Sequence, residues 1–347
     1  MTHHLRQYQT VAPCIVSLCI ALLASSATAQ INRYPNIPAH SGPVSTPQTS
    51  EAGHADQANY EFLSLDPQGQ GHCYTDAHGL NNARQVVVLW TDDCINYNTH
   101  ASLWVDGKWT SLDFVDPNCP DAATGFESLN NRDIAFGGYW SYTCNYATAA
   151  GMEVKTGRWF VLPDIKGLSY NQGISMSNNG LAIGAASDTI TFNINKHWIW
   201  DGRKYWFPTF PANWDVRSFW AGPLFINDSG RIAGQYVENS TSSPKYGRLR
   251  GYFQDGSEVT TFDAPGEPPM DTYVNGITNS GDVLLIGCNP YPACSNFSWR
   301  RGVFTPLPNV PFPDAVGTFV FGLNERGDIS GRWVDSTLNH AFVAYRK

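Results

Sequence analysis

Short apolar runs, each closed by an Asn or its Ser or Thr substitute and a tight turn, recur along the chain. Gly322-Leu323-Asn324-Glu325-Arg326-Gly327-Asp328-Ile329-Ser330-Gly331 has a near copy in Phe225-Ile226-Asn227-Asp228-Ser229-Gly230-Arg231-Ile232-Ala233-Gly234 and another in Gly276-Ile277-Thr278-Asn279-Ser280-Gly281-Asp282-Val283. Looser copies start at Gly79, Ser128 and Ser175. The key residue falls at 81, 130, 177, 227, 278 and 324, in steps of 49, 47, 50, 51 and 46. A period of that length indicates a propeller or an array.

Within a repeat the order is constant. An apolar strand ends in the Leu-Asn or Ile-Asn pair, and a turn rich in Asn and Gly reverses the chain, since both tolerate left-handed backbone. A second strand follows, then a variable loop, then a third strand such as His100-Ala101-Ser102-Leu103-Trp104. Asp106-Gly107, Asp201-Gly202 or Asp255-Gly256 makes a further turn into a fourth strand. β-branched and aromatic residues dominate these segments, and no sustained helical period occurs. The pattern predicts an all-β fold, a six-bladed β-propeller with four-stranded blades. The last repeat lacks a fourth strand before Lys347, whereas Tyr60–Asp66 reads like the fourth strand Trp109–Asp113. An N-terminal strand is therefore expected to complete the last blade. The second blade reads as one turn residue short, at Asn131-Arg132-Asp133-Ile134.

The alternation of G-[LI]-N-x-x-G-x-I-x-G with a His-Ala-Phe strand, complete at His340-Ala341-Phe342, resembles the HAF-type extracellular repeat family of bacteria over residues 60 to 347. The corresponding tripeptides of the other blades depart from it. The resemblance implies an exported β-repeat protein and carries no catalytic residues to transfer.

The segment before the repeats changes the picture of where the protein acts. Arg6, an apolar run from Val11 to Ala24 and Ala27-Thr28-Ala29 read as a signal peptide over residues 1–29. Cys19 follows Leu18 rather than a small residue, which disfavours a lipoprotein, and the run is too short to span a membrane. Residues 30–58, rich in Pro, Ser, Thr and Gln, read as a flexible tether to a domain at 59–347. Removal of Arg6 takes the 22 Lys and Arg to 21 against 30 Asp and Glu. That balance disfavours nucleic acid and anionic lipid. An exported monomer, at the cell envelope or beyond it, is expected.

Cys73, Cys94, Cys119, Cys144, Cys288 and Cys294 would remain in the exported chain. The repeat places Cys73 and Cys119 before a first strand, and Cys94 and Cys144 after a second. Pairs 73–94, 119–144 and 288–294 are expected, with 94–119 as the main competitor. No C-x2-C pair favours zinc.

His100, His197 and His340 share one slot in three blades, which favours a structural role over a metal site. The recurrent Asn is read as turn chemistry, and the spaced-Asp calcium loop is absent. No G-x-S-x-G, H-E-x-x-H, sialidase Asp-box or phosphate loop occurs, so no catalytic residue, metal or cofactor is assigned. The variable loops between second and third strands and between blades fall on one face, where specialised residues concentrate. Tyr97, Trp140, Tyr142, Trp214, Arg217, Trp220 and Tyr291 there form the expected ligand rim. Asp116, Asp121, Asp215, Asp271 and Asp314 lie in the same loops. The reading is a binding module for a protein or carbohydrate. The alternatives are a carbohydrate-active hydrolase or lyase using these carboxylates, and a structural surface protein.

Overall fold

The computed structural model describes residues 59–66, 74–92, 99–119, 121–188, 194–217, 221–289 and 294–347. Apart from a single turn residue of helical type at Asn59, the described residues are strands and connections. The expected signal peptide and tether, residues 1–58, lie outside the described residues.

Six antiparallel blades follow one another in chain order. Their innermost strands are Tyr74–Leu80, Ala123–Leu129, Tyr170–Met176, Gly222–Ile226, Asp271–Ile277 and Gly317–Leu323. Each pairs with the strand that follows it, and two further steps outward complete a four-stranded meander. Blades 2 and 3 are joined into one continuous sheet by a single parallel bridge between Tyr170 and Ala147. Blade 4 carries an extra ribbon, Trp214–Asp215, beside its second strand. The sixth blade is completed from the front of the domain, because Tyr60–Ser64 pairs antiparallel with Asn339–Arg346, from Tyr60 opposite Arg346 to Ser64 opposite Phe342. Leu65 N–H donates to Ala341 O, Trp333 Nε1 to Ser64 Oγ, and the His340 ring meets Asp66 at 2.9 Å.

The repeat motif has a physical cause at each position. The second strand crosses the first so closely that a Cβ on Gly331 would lie 2.0 Å from Phe319 O, and one on Gly137 or Gly234 would lie 2.1 Å from a carbonyl. Glycine fills that slot in blades 2, 3, 4 and 6, whereas Val88 and Leu285 take it in blades 1 and 5. The turn slot at positive φ holds Gly180, Gly230, Gly281 and Gly327, but Arg84 and Asp133 in the first two blades, each at φ 59. Asp133 N–H donates to Asn130 O, as Gly230 N–H does to Asn227 O. The second blade is therefore not short of a turn residue: Asp133 occupies the glycine position.

The buried layers lie between blades. Val87, Leu89, Phe126, Leu129 and Met152 join blades 1 and 2, while Leu284, Val320 and Phe342 join blades 5 and 6. Threonines near the start of three inner strands hold the incoming connection, since Phe114, Ala264 and Val310 N–H donate to Thr124, Thr272 and Thr318 Oγ1.

The shared third-strand slot is structural. His100 meets Asp113 at 2.9 Å and His340 meets Asp66 at 2.9 Å, each beside the fourth strand of its own blade. Arg250 does the same with Asp263 at 2.7 Å. The rings of His100 and His340 stack on Trp90 and Trp333. His197 instead bonds Val216 O at 2.6 Å, and burial pushes its pKa down to about 4.

Candidate functional site

All six blades contribute to a central channel whose wall begins at the turns. The recurrent Asn caps its own turn: Asn227 Oδ1 accepts from Ser229 and Arg231 N–H, and Asn324 Oδ1 from Arg326 and Asp328 N–H. Its amide also reaches the next blade. Asn81 donates to Asn130 O, Asn130 to Ser177 O, Asn227 to Thr278 O, and Asn324 back to Asn81 O. Ser177 and Thr278 lack an amide, and among the described residues they make no such step.

The residue after the Asn closes a second circuit. Asn82 N–H donates to Asn131 Oδ1 at 2.7 Å, Asn131 to Asn178 at 2.7 Å, Asn178 to Asp228 at 2.6 Å, and Asp228 to Asn279 at 2.9 Å. Asn279 then donates to Glu325, and Glu325 to Asn82 at 3.1 Å. Sequence reading passed over this position, although Asn, Asp or Glu fills it in all six repeats.

Above the turns each inner strand has a register shift at one position, so His78, Glu127, Ile174, Leu224, Asn275 and Phe321 are the extra residues. Such bulges re-aim a side chain. The channel below them encloses about 120 Å³, and His78, Glu127, Asn275 and Phe321 line it.

One side of this wall is charged. His78 Nδ1 meets Glu127 Oε2 at 2.9 Å, and His78 Nε2 meets Asp76 Oδ2 at 3.3 Å. Tyr74 donates to the same Asp76 oxygen, and Arg332 Nε lies 3.6 Å from Asp76 Oδ1. Arg332 Nη1 donates to Tyr74 OH, while the His78 ring stacks on Phe321 at 5.0 Å. Asp76 and Arg332 are buried. Burial opposes charging of His78, but the Glu127 charge and hydrogen bonds to Asp76 and Glu127 outweigh it and raise its pKa to about 9. His78 is thus an imidazolium at neutral pH with both N–H groups committed. Two cations and two carboxylates balance across the seam of blades 6, 1 and 2. Leaving any one alone in a buried site would be costly.

The loop face gathers the expected rim only in part. Tyr97, Trp220 and Tyr291 lie outside the described residues. Trp140 is 4% exposed and packs over Gly125, so it offers no open face. The long-loop position hid that it belongs to the strand Ile134–Ser141, opposite Ala123 and Ala147. Tyr142, one turn residue further on, is 40% exposed. Trp214 stacks on Tyr236 at 3.9 Å in blade 4, and Arg217 there is exposed and bonded bidentately to Asp215.

The carboxylates of this face tie loops together. Asp116 accepts from Tyr146 OH and Asn118 N–H, and Asp121 from Ser141 Oγ and Thr143 N–H. Slight burial opposes it, but the Thr143 and Ser141 bonds hold Asp121 below the usual carboxylate range. The Arg217 hydrogen bond does the same to Asp215. The Cys119–Cys144 disulfide braces the loops beside Tyr142, and Cys288–Cys294 joins two directly opposed strand residues. The 73–94 pair lies outside the described residues. Among the described residues no group of three or more His, Cys, Asp or Glu is placed to hold a metal.

No family model matches the chain, and no curated protein does. Solved structures similar to it include a gluconolactonase from Xanthomonas campestris, at 11% identity over 88% of this chain and 99% of that one, with a TM-score of 0.48. The β-propeller domain of the Trilobed protease from Pyrococcus furiosus is similar at 11% identity over 78% and 95%, with a TM-score of 0.42. Aleuria aurantia lectin is similar at 11% identity over 76% and 89%, with a TM-score of 0.45.

Proposed function

We propose that the protein is an exported binding module of the HAF-repeat type, acting at or outside the cell envelope, whose glycan or protein ligand is met on the loop face. The observation that carries this reading is the state of the polar groups there. Asp116, Asp121 and Asp215 are each satisfied by neighbours, while Tyr142 and Arg217 are exposed, Tyr142 on a loop braced by a disulfide. A hydrolase or lyase would need a carboxyl group that holds its proton near neutral pH. Asp121 and Asp215 are instead held ionised. In the channel, His78 is tied to two carboxylates and has no free nitrogen to act as a base. Disulfides support an oxidising compartment, and no described helix is long and apolar enough to cross a membrane.

The test is a glycan array and an envelope-extract capture with residues 30–347, followed by titration of each hit. Tyr142→Ala and Arg217→Ala should weaken binding by about tenfold with little change in melting. Trp140→Ala should instead cost roughly 3–5 kcal/mol of stability, as for a packed core ring. Failure to find a saturable ligand, or binding indifferent to both loop-face variants, would reject the reading.

A further inference from the structure

A second cavity, of about 410 Å³, lies between blades 5 and 6, away from the loop-face residues. Tyr60, Ser298, Thr305, Leu307, Arg326 and Arg346 are among its lining. The two arginines set it apart. Arg84, Arg158, Arg217, Arg231, Arg248, Arg250, Arg300 and Arg332 each lie within ion-pair distance of a carboxylate. Arg132 donates to Asn178 O, and Arg203 and Arg301 sit at hairpin tips. The Arg326 and Arg346 guanidiniums line this cavity with no carboxylate recorded against either, although the Arg346 backbone N–H donates to Asp328 Oδ1.

The carboxylates on the same wall are already engaged. Asp282 accepts from Ser280 and pairs with Arg300, and Glu325 accepts from Asn279 N–H. Both arginines line the cavity beside Gly327. Arg346 lies over that glycine, so close that a Cβ there would be 3.0 Å from Arg346 Cδ, and Arg326 is its chain neighbour. Ser298 and Thr305 are opposed in register on adjacent strands and add two hydroxyls with no protein partner recorded. Burial raises the Tyr60 pKa despite the nearby Arg346 charge, so its hydroxyl stays a donor. Leu307 and Leu323 supply a small apolar wall.

Two unpaired guanidiniums favour an oxyanion, which they meet with paired N–H donors. The flanking hydroxyls suit a hydroxylated body. We propose that this cleft is a ligand site for a small sugar acid, with its carboxylate on Arg326 and Arg346 and its hydroxyls toward Ser298, Thr305 and Tyr60. This site is separate from the loop face.

The probes are glucuronate, glucose and sulfate, titrated into residues 30–347 by calorimetry at low salt. Glucuronate should bind saturably, about tenfold or more tighter than either glucose or sulfate, and R326Q and R346Q should each lower its affinity by about tenfold at unchanged melting temperature. Tyr142→Ala should leave this binding as it is. Equal binding of glucose, or glucuronate binding indifferent to both arginine variants, would overturn the proposal. Sulfate as tight as glucuronate would overturn the sugar-acid assignment, and absence of any saturable glucuronate binding would overturn the site. A loss seen only in Tyr142→Ala would move the ligand to the loop face.

Discussion

His78, part-buried in the channel wall, and His197, buried, depend on pH in opposite directions. His78, raised to about 9 by its two carboxylates against the effect of burial, contributes stability that is complete below about 6.5 and is lost as pH rises through 9. His197, lowered to about 4 by burial, contributes stability that is complete above about 6.5 and is lost as pH falls toward 4. Urea unfolding across pH should therefore show two sloping limbs. His78→Gln should flatten the alkaline limb and His197→Gln the acid one, each by on the order of 2 kcal/mol. A limb that keeps its slope in the matching variant would refute the assignment. At this scale the sequence was half legible. The recurrent Asn was readable as a turn residue from its own neighbours, but its second bond runs to a carbonyl 47 to 51 residues away along the chain. The Asp76, His78, Glu127 and Arg332 cluster left no local trace, because its members come from three blades and none is repeated. The one hint is that the bulge position carries a different residue in every blade, inside an otherwise uniform motif.

Among the elements, the strand Tyr60–Ser64 was legible because it copies a fourth strand, and pairing with the last blade follows from the missing edge there. Its weight in the fold is measurable. Phe62 packs in the layer beside Phe342, Leu65 is 2% exposed beside Val88 and Val343, and Asp66 faces His340. Deleting residues 31–57 should leave the unfolding midpoint in place. Extending the deletion through Asp66 should cost more than about 3 kcal/mol or cause aggregation. Equal stability of the two deletions would show that the strand is dispensable. The rim was less legible than this strand. Variable loops signal freedom to specialise, but where a strand ends decides whether an aromatic ring is core or surface. Trp140 and Tyr142, two residues apart, fall on opposite sides of that limit.

At the scale of the molecule, architecture follows from period and edges, while the chemistry of the site depends on contacts between repeats that no single repeat encodes. The turn circuits show the difference. In the circuit through Asn82, Asn131, Asn178, Asp228, Asn279 and Glu325, each repeat supplies one donor and one acceptor, and only the full set of six returns to its starting residue. Where the backbone itself is interrupted, Lys347 N–H donates to Asn59 O at 2.9 Å. Topologically, then, the domain is a circle whose cut point is a matter of gene order rather than of folding. Linking 347 to 59 through a few glycines and opening the Asp106-Gly107 hairpin would give a permuted chain in which Lys108–Ser111 comes first and closes blade 1, as Tyr60–Ser64 now closes blade 6. That permutant should unfold cooperatively, with a midpoint near that of 59–347 in its native order; a non-cooperative or insoluble product would show that one blade has to come first.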